Sequence, residues 1–182
     1  MAMKKFIFLG LTLVALTASS DENLSGKKYQ IPAGTSQTTT VLFPKGNLHL
    51  SMYGDADAQY YGIMDGPSCR NSKKLIKYNA GIGGNTTEKI ITVEAGKTMV
   101  FIATILKHSS SGVGNGYGIS FRDQWNSCTR VFSFAPKPGA FYIISQEALL
   151  SSTNFCSVSV KEKTTDERPH DLVEGPRLTC MF

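Results

Sequence analysis

Two runs, Cys128-Thr-Arg-Val-Phe-Ser-Phe134 and Asn154-Phe-Cys-Ser-Val-Ser-Val160, have the clearest strand pattern of the chain. In the first, Cys128, Arg130, Phe132 and Phe134 occupy alternate positions. In the second, Cys156, Val158 and Val160 alternate with polar residues. This period of two is typical of strands that bury one face. The turn Ala135-Pro-Lys-Pro-Gly139 and a third run, Ala140-Phe-Tyr-Ile-Ile-Ser-Gln146, lie between them. The stretch therefore predicts a β core carrying two cysteines on the apolar faces of nearby strands.

The remainder of the chain adds strands of the same kind. Predicted strands cover 38–43, 47–53, 60–64, 74–78, 88–93, 98–106 and 117–121. Residues 98–106 are apolar on both faces, which predicts a central strand. The residues between strands are mostly Gly, Pro, Asn, Asp and Ser, and residues 79–85 and 107–116 are predicted loops. Eight to ten strands at spacings near ten residues predict an all-β, antiparallel β-sandwich.

The chain begins with a basic start, an apolar run and a small-residue end, which predict a secretory signal peptide at residues 1–18. The run Leu16-Thr-Ala18 before Ser19 is like a lipoprotein box with serine in place of the lipid-bearing cysteine. We therefore expect export to the periplasm or outside the cell without a lipid anchor. The rest divides into a flexible lead at 19–36, the sandwich at 37–162 and an extended tail at 163–182.

Four cysteines in an exported chain predict two disulfides. Three pairings are possible, and we favour Cys128–Cys156, with Cys69–Cys180 by exclusion. Two cysteines in one sheet with a strand between them would lie roughly 9–10 Å apart, which is beyond the reach of a disulfide. The favoured pairing therefore requires two sheets that face each other. A zinc site is not expected, because no Cys-x-x-Cys spacing occurs and no histidine adjoins a cysteine.

The charge gives little indication of a partner. Removing the signal removes Lys4 and Lys5, which leaves 17 basic and 14 acidic residues, a net charge of +3. That value is too small to predict nucleic-acid binding, which needs a clustered basic surface. The small patch of Lys73, Lys74 and Lys77 is interpreted as a solvated face. No transmembrane span is expected, because the apolar run of the signal is too short for one, and a monomer is expected.

No local pattern indicates catalysis, a cofactor or a metal. The three histidines, His49, His108 and His170, are far apart in the sequence and are interpreted as solvated. The aspartates near residues 55–65 lack the order of a calcium loop and are interpreted as turn residues. Neither Gly-x-Ser-x-Gly nor His-Glu-x-x-His occurs, and the glycines at 112–118 lack dinucleotide-loop spacing. We therefore assign no catalytic, cofactor-binding or metal-binding residue.

The run Cys128-Thr-Arg-Val-Phe-Ser-Phe-Ala-Pro136 is followed by Gly139, Tyr142 and Cys156-Ser-Val-Ser-Val160. This pattern resembles a group of exported or lipid-anchored proteins of Gram-negative bacteria. The run Val93-Glu-Ala-Gly96 is similar to that group as well, and the resemblance spans roughly residues 40–162. It implies a β hairpin and carries over no functional residue, since the group has no assigned activity. Ser19 is a departure from the lipid-anchored members.

The leading hypothesis is a non-enzymatic binding or accessory module of the cell envelope. Loops 79–86 and 107–116 would form its contact surface, because loops on a rigid sandwich commonly carry recognition. The residues singled out for contact are Asn85, His108, Tyr117 and Trp125. The partner would be an envelope protein or a glycan. The alternatives are a secreted hydrolase-like or inhibitor-like effector, with a site assembled from distant residues, and a carbohydrate-binding module with exposed aromatic residues.

Overall fold

A computed structural model describes residues 22–24, 26–48, 57–66, 68–80, 87–114, 119–148, 156–178 and 180–181. The predicted signal peptide and most of the predicted strand at 47–53 lie outside these residues. The described part contains eleven strands and one short 3-10 helix at Cys69–Asn71. The strands are β1 (Glu22–Asn23), β2 (Thr38–Pro44), β3 (Ala58–Met64), β4 (Ser72–Asn79), β5 (Glu88–Glu94), β6 (Met99–Gly114), β7 (Ile119–Phe134), β8 (Phe141–Ala148), β9 (Cys156–Glu162), β10 (Val173–Leu178) and β11 (Cys180–Met181).

Nine of these strands form two sheets. The larger has the order β10-β7-β6-β3-β4, and the smaller has the order β5-β2-β8-β9. Neighbouring strands of both sheets are antiparallel except for β2 and β8, which are parallel. The prediction of an all-β, disulfide-linked sandwich is therefore confirmed. The central place predicted for residues 98–106 is also confirmed, because β6 lies between β3 and β7 and is buried from Phe101 to Leu106.

The main core fills the space between the two sheets. It contains apolar and aromatic residues of both, including Phe43 and Tyr142 from the smaller sheet and Phe101, Phe132 and Phe134 from the larger. The Phe101 ring stacks on Phe132 and Phe134 with centroids 5.6 and 5.2 Å away. The rings of Phe134 and Tyr142 pack edge to face with their centroids 5.2 Å apart. Aromatic pairs of this kind add stability beyond the area that they bury, so residues 128–160 stabilise the core through Phe132, Phe134 and Tyr142.

A second apolar cluster covers the outer face of the larger sheet. Tyr60, Met64 and Ile102 pack there beneath Leu24 and the disulfide between Cys69 and Cys180. The two-stranded sheet of β1 and β11 belongs to this outer layer, with Glu22 paired to Cys180. Neighbouring residues of a strand point to opposite faces, so the sequence Tyr60-Tyr61 predicts that at least one of the two rings faces outward. That prediction was wrong, since both are buried at 2% and 1% exposure.

The C-terminal tail is part of the larger sheet. Its strand β10 pairs antiparallel with β7, from Val173 opposite Ser133 to Leu178 opposite Thr129. The sequence predicted an extended tail with few buried residues. The extended conformation is found, and most of its backbone from Val173 onward is used in the sheet.

Candidate functional site

Four connections between strands leave the sandwich at the same end. Ala58 at the start of β3 pairs with Asn79 at the end of β4 and with Leu106 of β6. On the smaller sheet, the Asn47 side chain meets Ala148 at the end of β8. The connections β2–β3, β4–β5, β6–β7 and β8–β9 therefore depart together, and we call this region the loop end. Both predicted contact loops belong to it, although Asn85 and residues 81–86 lie outside the described residues.

The connection between β6 and β7 is a long paired ribbon. Pairing with β3 stops at Leu106, but β6 and β7 remain paired for eight further positions, from Lys107 opposite Asn126 to Gly114 opposite Ile119. We call residues 107–114 and 119–126 the arm. The prediction of a loop at 107–116 was wrong for residues 107–114. Among the described residues, no third strand pairs with the arm.

The arm brings two of the singled-out residues together. His108 lies opposite Trp125 in the register. Ile119, Phe121, Asp123 and Trp125 occupy alternate positions of β7. Tyr117 lies outside the described residues. The sequence placed these residues near one another along the chain, but it did not show that they would sit on a paired ribbon beyond the sheet.

A buried polar network holds the base of the loop end. Gln59 accepts a hydrogen bond from Gly46 N at 2.8 Å and donates to Gln146 O at 3.1 Å and to the Tyr61 hydroxyl at 2.8 Å. Asn47 forms two hydrogen bonds with Ala148, at 2.9 and 3.0 Å. Burial raises the pKa of the Tyr61 hydroxyl above its ordinary value, so it stays protonated. These bonds join the β2–β3 connection to the opposite sheet and give the loops a rigid base.

Gln146 extends this network to the disulfide between the sheets. Its side-chain amide donates to Ala103 O at 3.1 Å and Cys128 O at 3.2 Å and also contacts Cys156 Sγ at 3.2 Å. Cys128 of β7 is bonded to Cys156 of β9, with Cα atoms 5.9 Å apart. The disulfide therefore crosses between facing sheets, as the favoured pairing requires.

Of the remaining histidines, the described one, His170, lies away from the loop end. Exposed His170 is in the turn before β10, at the opposite end of the sandwich from His108, and His49 lies outside the described residues. Lys73 forms an ion pair with Asp65 at 2.6 Å. Lys73, Lys27 and Arg70 line a surface cleft of about 320 Å³. The lysines of β4 stand on an edge strand, where charge discourages unwanted pairing, so their structural interpretation is sufficient.

The described residues show no constellation typical of metal chemistry. Within the described ranges, no three His, Cys, Asp or Glu side chains group as metal ligands would. No helix in that part of the chain is long and apolar enough to cross a membrane. No protein-family model, curated protein or solved structure matches the chain. The resemblance to exported Gram-negative proteins therefore stays a prediction.

Proposed function

We propose that the chain is a non-enzymatic binding or accessory protein of the Gram-negative cell envelope, exported by its N-terminal signal, and that it contacts its partner through the arm. The observation that carries this proposal is the continuation of β6 and β7 for eight paired positions beyond the last pairing with β3. At about 3.4 Å per residue, the ribbon extends roughly 27 Å past its neighbouring strand.

In the described part of the chain, this two-stranded ribbon lacks a further strand to pack against. A two-stranded hairpin alone is only marginally stable in water and needs packing on another surface. Phe121 and Trp125 occupy alternate positions of β7 within the arm, and aromatic residues are enriched in binding surfaces. A partner packed on the arm would supply the missing contacts. The Gln146 amide, which bonds Ala103 O of β6 and Cys128 O of β7, would hold the two strands where the arm begins.

The direct test removes the arm and leaves the sandwich. Residues 108–125 are replaced by Asn-Gly, a sequence that favours the tight turn of a hairpin. The disulfide-bonded wild type is expected to retain a partner from a Gram-negative envelope extract at moderate salt in stoichiometric amount. The shortened variant is expected to lose it, whereas Lys137→Ala at the opposite end should retain it. Equal retention by the wild type and the shortened variant would overturn the role of the arm.

Trp125 provides an independent readout because it is the only tryptophan in the chain. A partner that packs on the arm should shift its fluorescence emission toward the blue, and the shift should saturate at one partner per chain. A retained partner that leaves the emission unchanged would place the contact elsewhere.

Carbohydrate binding is the second candidate, favoured by two aromatic residues of the arm, Phe121 and Trp125, at alternate positions of β7. Soluble glycan fragments from the same envelope would then change the Trp125 emission without any protein partner. A response to a protein partner alone would favour the accessory role, and a response to glycans alone would favour the carbohydrate-binding role.

A further inference from the structure

The two sheets differ by one strand, and the difference leaves a vacant position beside β9. In the larger sheet β10 lies outside β7, while in the smaller sheet β9 is the outermost strand and is joined to β7 by the disulfide. No described strand of the smaller sheet therefore lies opposite β10. A cleft of about 150 Å³ occupies this position. Its inner lining includes Arg130, Phe132, Val158, Val160, Leu172 and Glu174.

The backbone of β9 is prepared for another strand at this cleft. Lys163 N donates to Phe141 O, which continues the ladder between β9 and β8. In an antiparallel pair, hydrogen-bonded and non-bonded positions alternate. Ser157, Ser159 and Lys161 therefore make the bonds to β8. Cys156, Val158, Val160 and Glu162 direct their N–H and C=O groups toward the open edge.

The backbone groups at both ends of this open edge already have hydrogen-bond partners. Cys156 O accepts a hydrogen bond from Arg130 Nε at 2.9 Å, and Glu162 N donates to Glu167 O at 2.9 Å. Between them, Val158 and Val160 have no backbone partner on the open side among the described residues. Val160 is only 3% exposed and forms part of the cleft floor. Backbone groups in such a place are normally paired.

The charges around the cleft favour an acidic occupant. Arg130 uses Nε for Cys156 O, and within the described part of the chain its Nη groups have no acceptor. The carboxylate in the lining, Glu174, is already paired with Arg168 at 3.1 Å. An arginine whose guanidinium Nη groups have no acceptor binds carboxylates well. Apolar side chains are accommodated at the other end, where Val160 and Leu172 meet Phe132.

We propose that the cleft binds an extended peptide segment of a partner protein, which adds as a fifth strand beside β9 and carries a carboxylate that meets Arg130. Its backbone would pair with Val158 and Val160, and an apolar side chain four residues from the carboxylate would fill the cleft near Leu172. Strand addition of this kind obtains affinity from backbone bonds and specificity from alternate side chains. The site is separate from the arm, so it stands or falls independently of the proposed function.

The test uses a blocked pentapeptide, acetyl-Asp-Thr-Val-Thr-Val-amide, and the same peptide with Lys in place of Asp. Binding to the disulfide-bonded protein is measured by NMR titration. The Asp peptide should shift the amides of Val158 and Val160 saturably, and the Lys peptide should bind about tenfold or more weakly. The Arg130→Glu variant should reverse that preference, a result that simple loss of stability cannot produce.

A second variant tests the backbone contact. Val158→Pro removes an N–H that the β8 ladder does not use, and an edge strand tolerates proline at such a position. We expect about a tenfold or greater loss of peptide binding with an unchanged fold in the NMR spectrum. Ile90→Ser, on the exposed far edge of the same sheet, should bind like the wild type. Absence of binding, binding with shifts away from β9, or a dimer of the chain that excludes the peptide would each overturn the proposal.

Discussion

Tyr78 shows how one hydroxyl ties the stability of the sandwich to pH. Its ring is 4% exposed, and its hydroxyl donates to Phe43 O of the opposite sheet. Burial raises its pKa from 10.0 to about 12, and nearby Glu88 acts in the same direction. The unfolded tyrosine loses its proton first, so the contribution of the protonated hydroxyl is complete below pH 10 and is lost as the pH rises toward 12.

We therefore expect Tyr78→Phe to lower the free energy of unfolding by about 1 kcal/mol at pH 7, because the cross-sheet hydrogen bond is removed. The gap between wild type and variant should shrink between pH 10 and pH 12. Urea unfolding at pH 7, 9, 10 and 11 measures it. A gap that is constant over this range would show that the Tyr78 hydroxyl titrates alike in both states.

Gly62 is a second residue whose identity depends on close packing. It lies at the irregularity between β3 and β4, where the register shifts after Tyr61. A Cβ at this position would lie 2.7 Å from Tyr60 Cε1 and 2.9 Å from Lys73 O. Gly62→Ala should therefore cost about 1–3 kcal/mol, as overpacking usually does. The matched control is Gly26→Ala, where nothing lies within 4 Å, and thermal unfolding of both variants checks the difference. Equal melting temperatures would contradict it.

The hydrogen-bonding pattern of β9 predicts amide hydrogen-exchange rates that can be measured without a ligand. If the ladder bonds belong to Ser157, Ser159 and Lys161, their amides should exchange slowly with deuterium. The Val158 amide, directed to the open edge, should exchange on the order of a hundredfold faster than that of Ser159. Hydrogen exchange followed by NMR resolves the two neighbours. Equal protection of Val158 and Ser159 would mean that the edge is already covered.

The strands that were predictable from sequence are those whose pattern is local. Alternation along Cys128–Phe134 and Cys156–Val160 is visible within seven residues, and the structure places strands at both. The arm was not predictable, because Ser109, Ser110 and Gly112 have low strand propensity and read as a loop. They are paired only because β7 continues opposite them. The open edge of β9 was equally hidden, since it depends on how many strands each sheet receives.

Across the whole molecule, the features that the sequence did not predict are those that depend on contacts between distant parts of the chain. From the sequence, at least one ring of Tyr60-Tyr61 is expected to face outward, and Tyr60 is the one on the outer face of the larger sheet. It is buried because the outer layer of Leu24 and the Cys69–Cys180 disulfide returns to cover it. The charged run Glu162–Asp171 predicts an extended tail at 163–182 outside the sandwich, yet β10 within that tail completes the larger sheet. Composition describes a segment, but its place in a sheet is set by its neighbours.

The two disulfides should therefore make comparable contributions to one cooperative unit. Cys128–Cys156 closes a separation of 28 residues, and Cys69–Cys180 closes one of 111. By loop entropy alone these are worth about 3.6 and about 4.8 kcal/mol. Because β10 belongs to the larger sheet, Cys69→Ala/Cys180→Ala should lower the stability of the whole sandwich at least as much as Cys128→Ala/Cys156→Ala. Both variants should melt in a single transition.

Calorimetry and limited proteolysis distinguish this expectation from a tail that opens by itself. If the molecule unfolds as one unit, the melting temperature falls in both variants. Trypsin then cleaves after Arg177 no faster than at its other sites, because all of them open only when the whole chain unfolds. In a separate tail, Cys69→Ala/Cys180→Ala would leave the main melting temperature unchanged and open Arg177 to trypsin well below it. The second result would show that the outer layer and β10 form a weaker unit, and that Tyr60 becomes exposed when that unit opens.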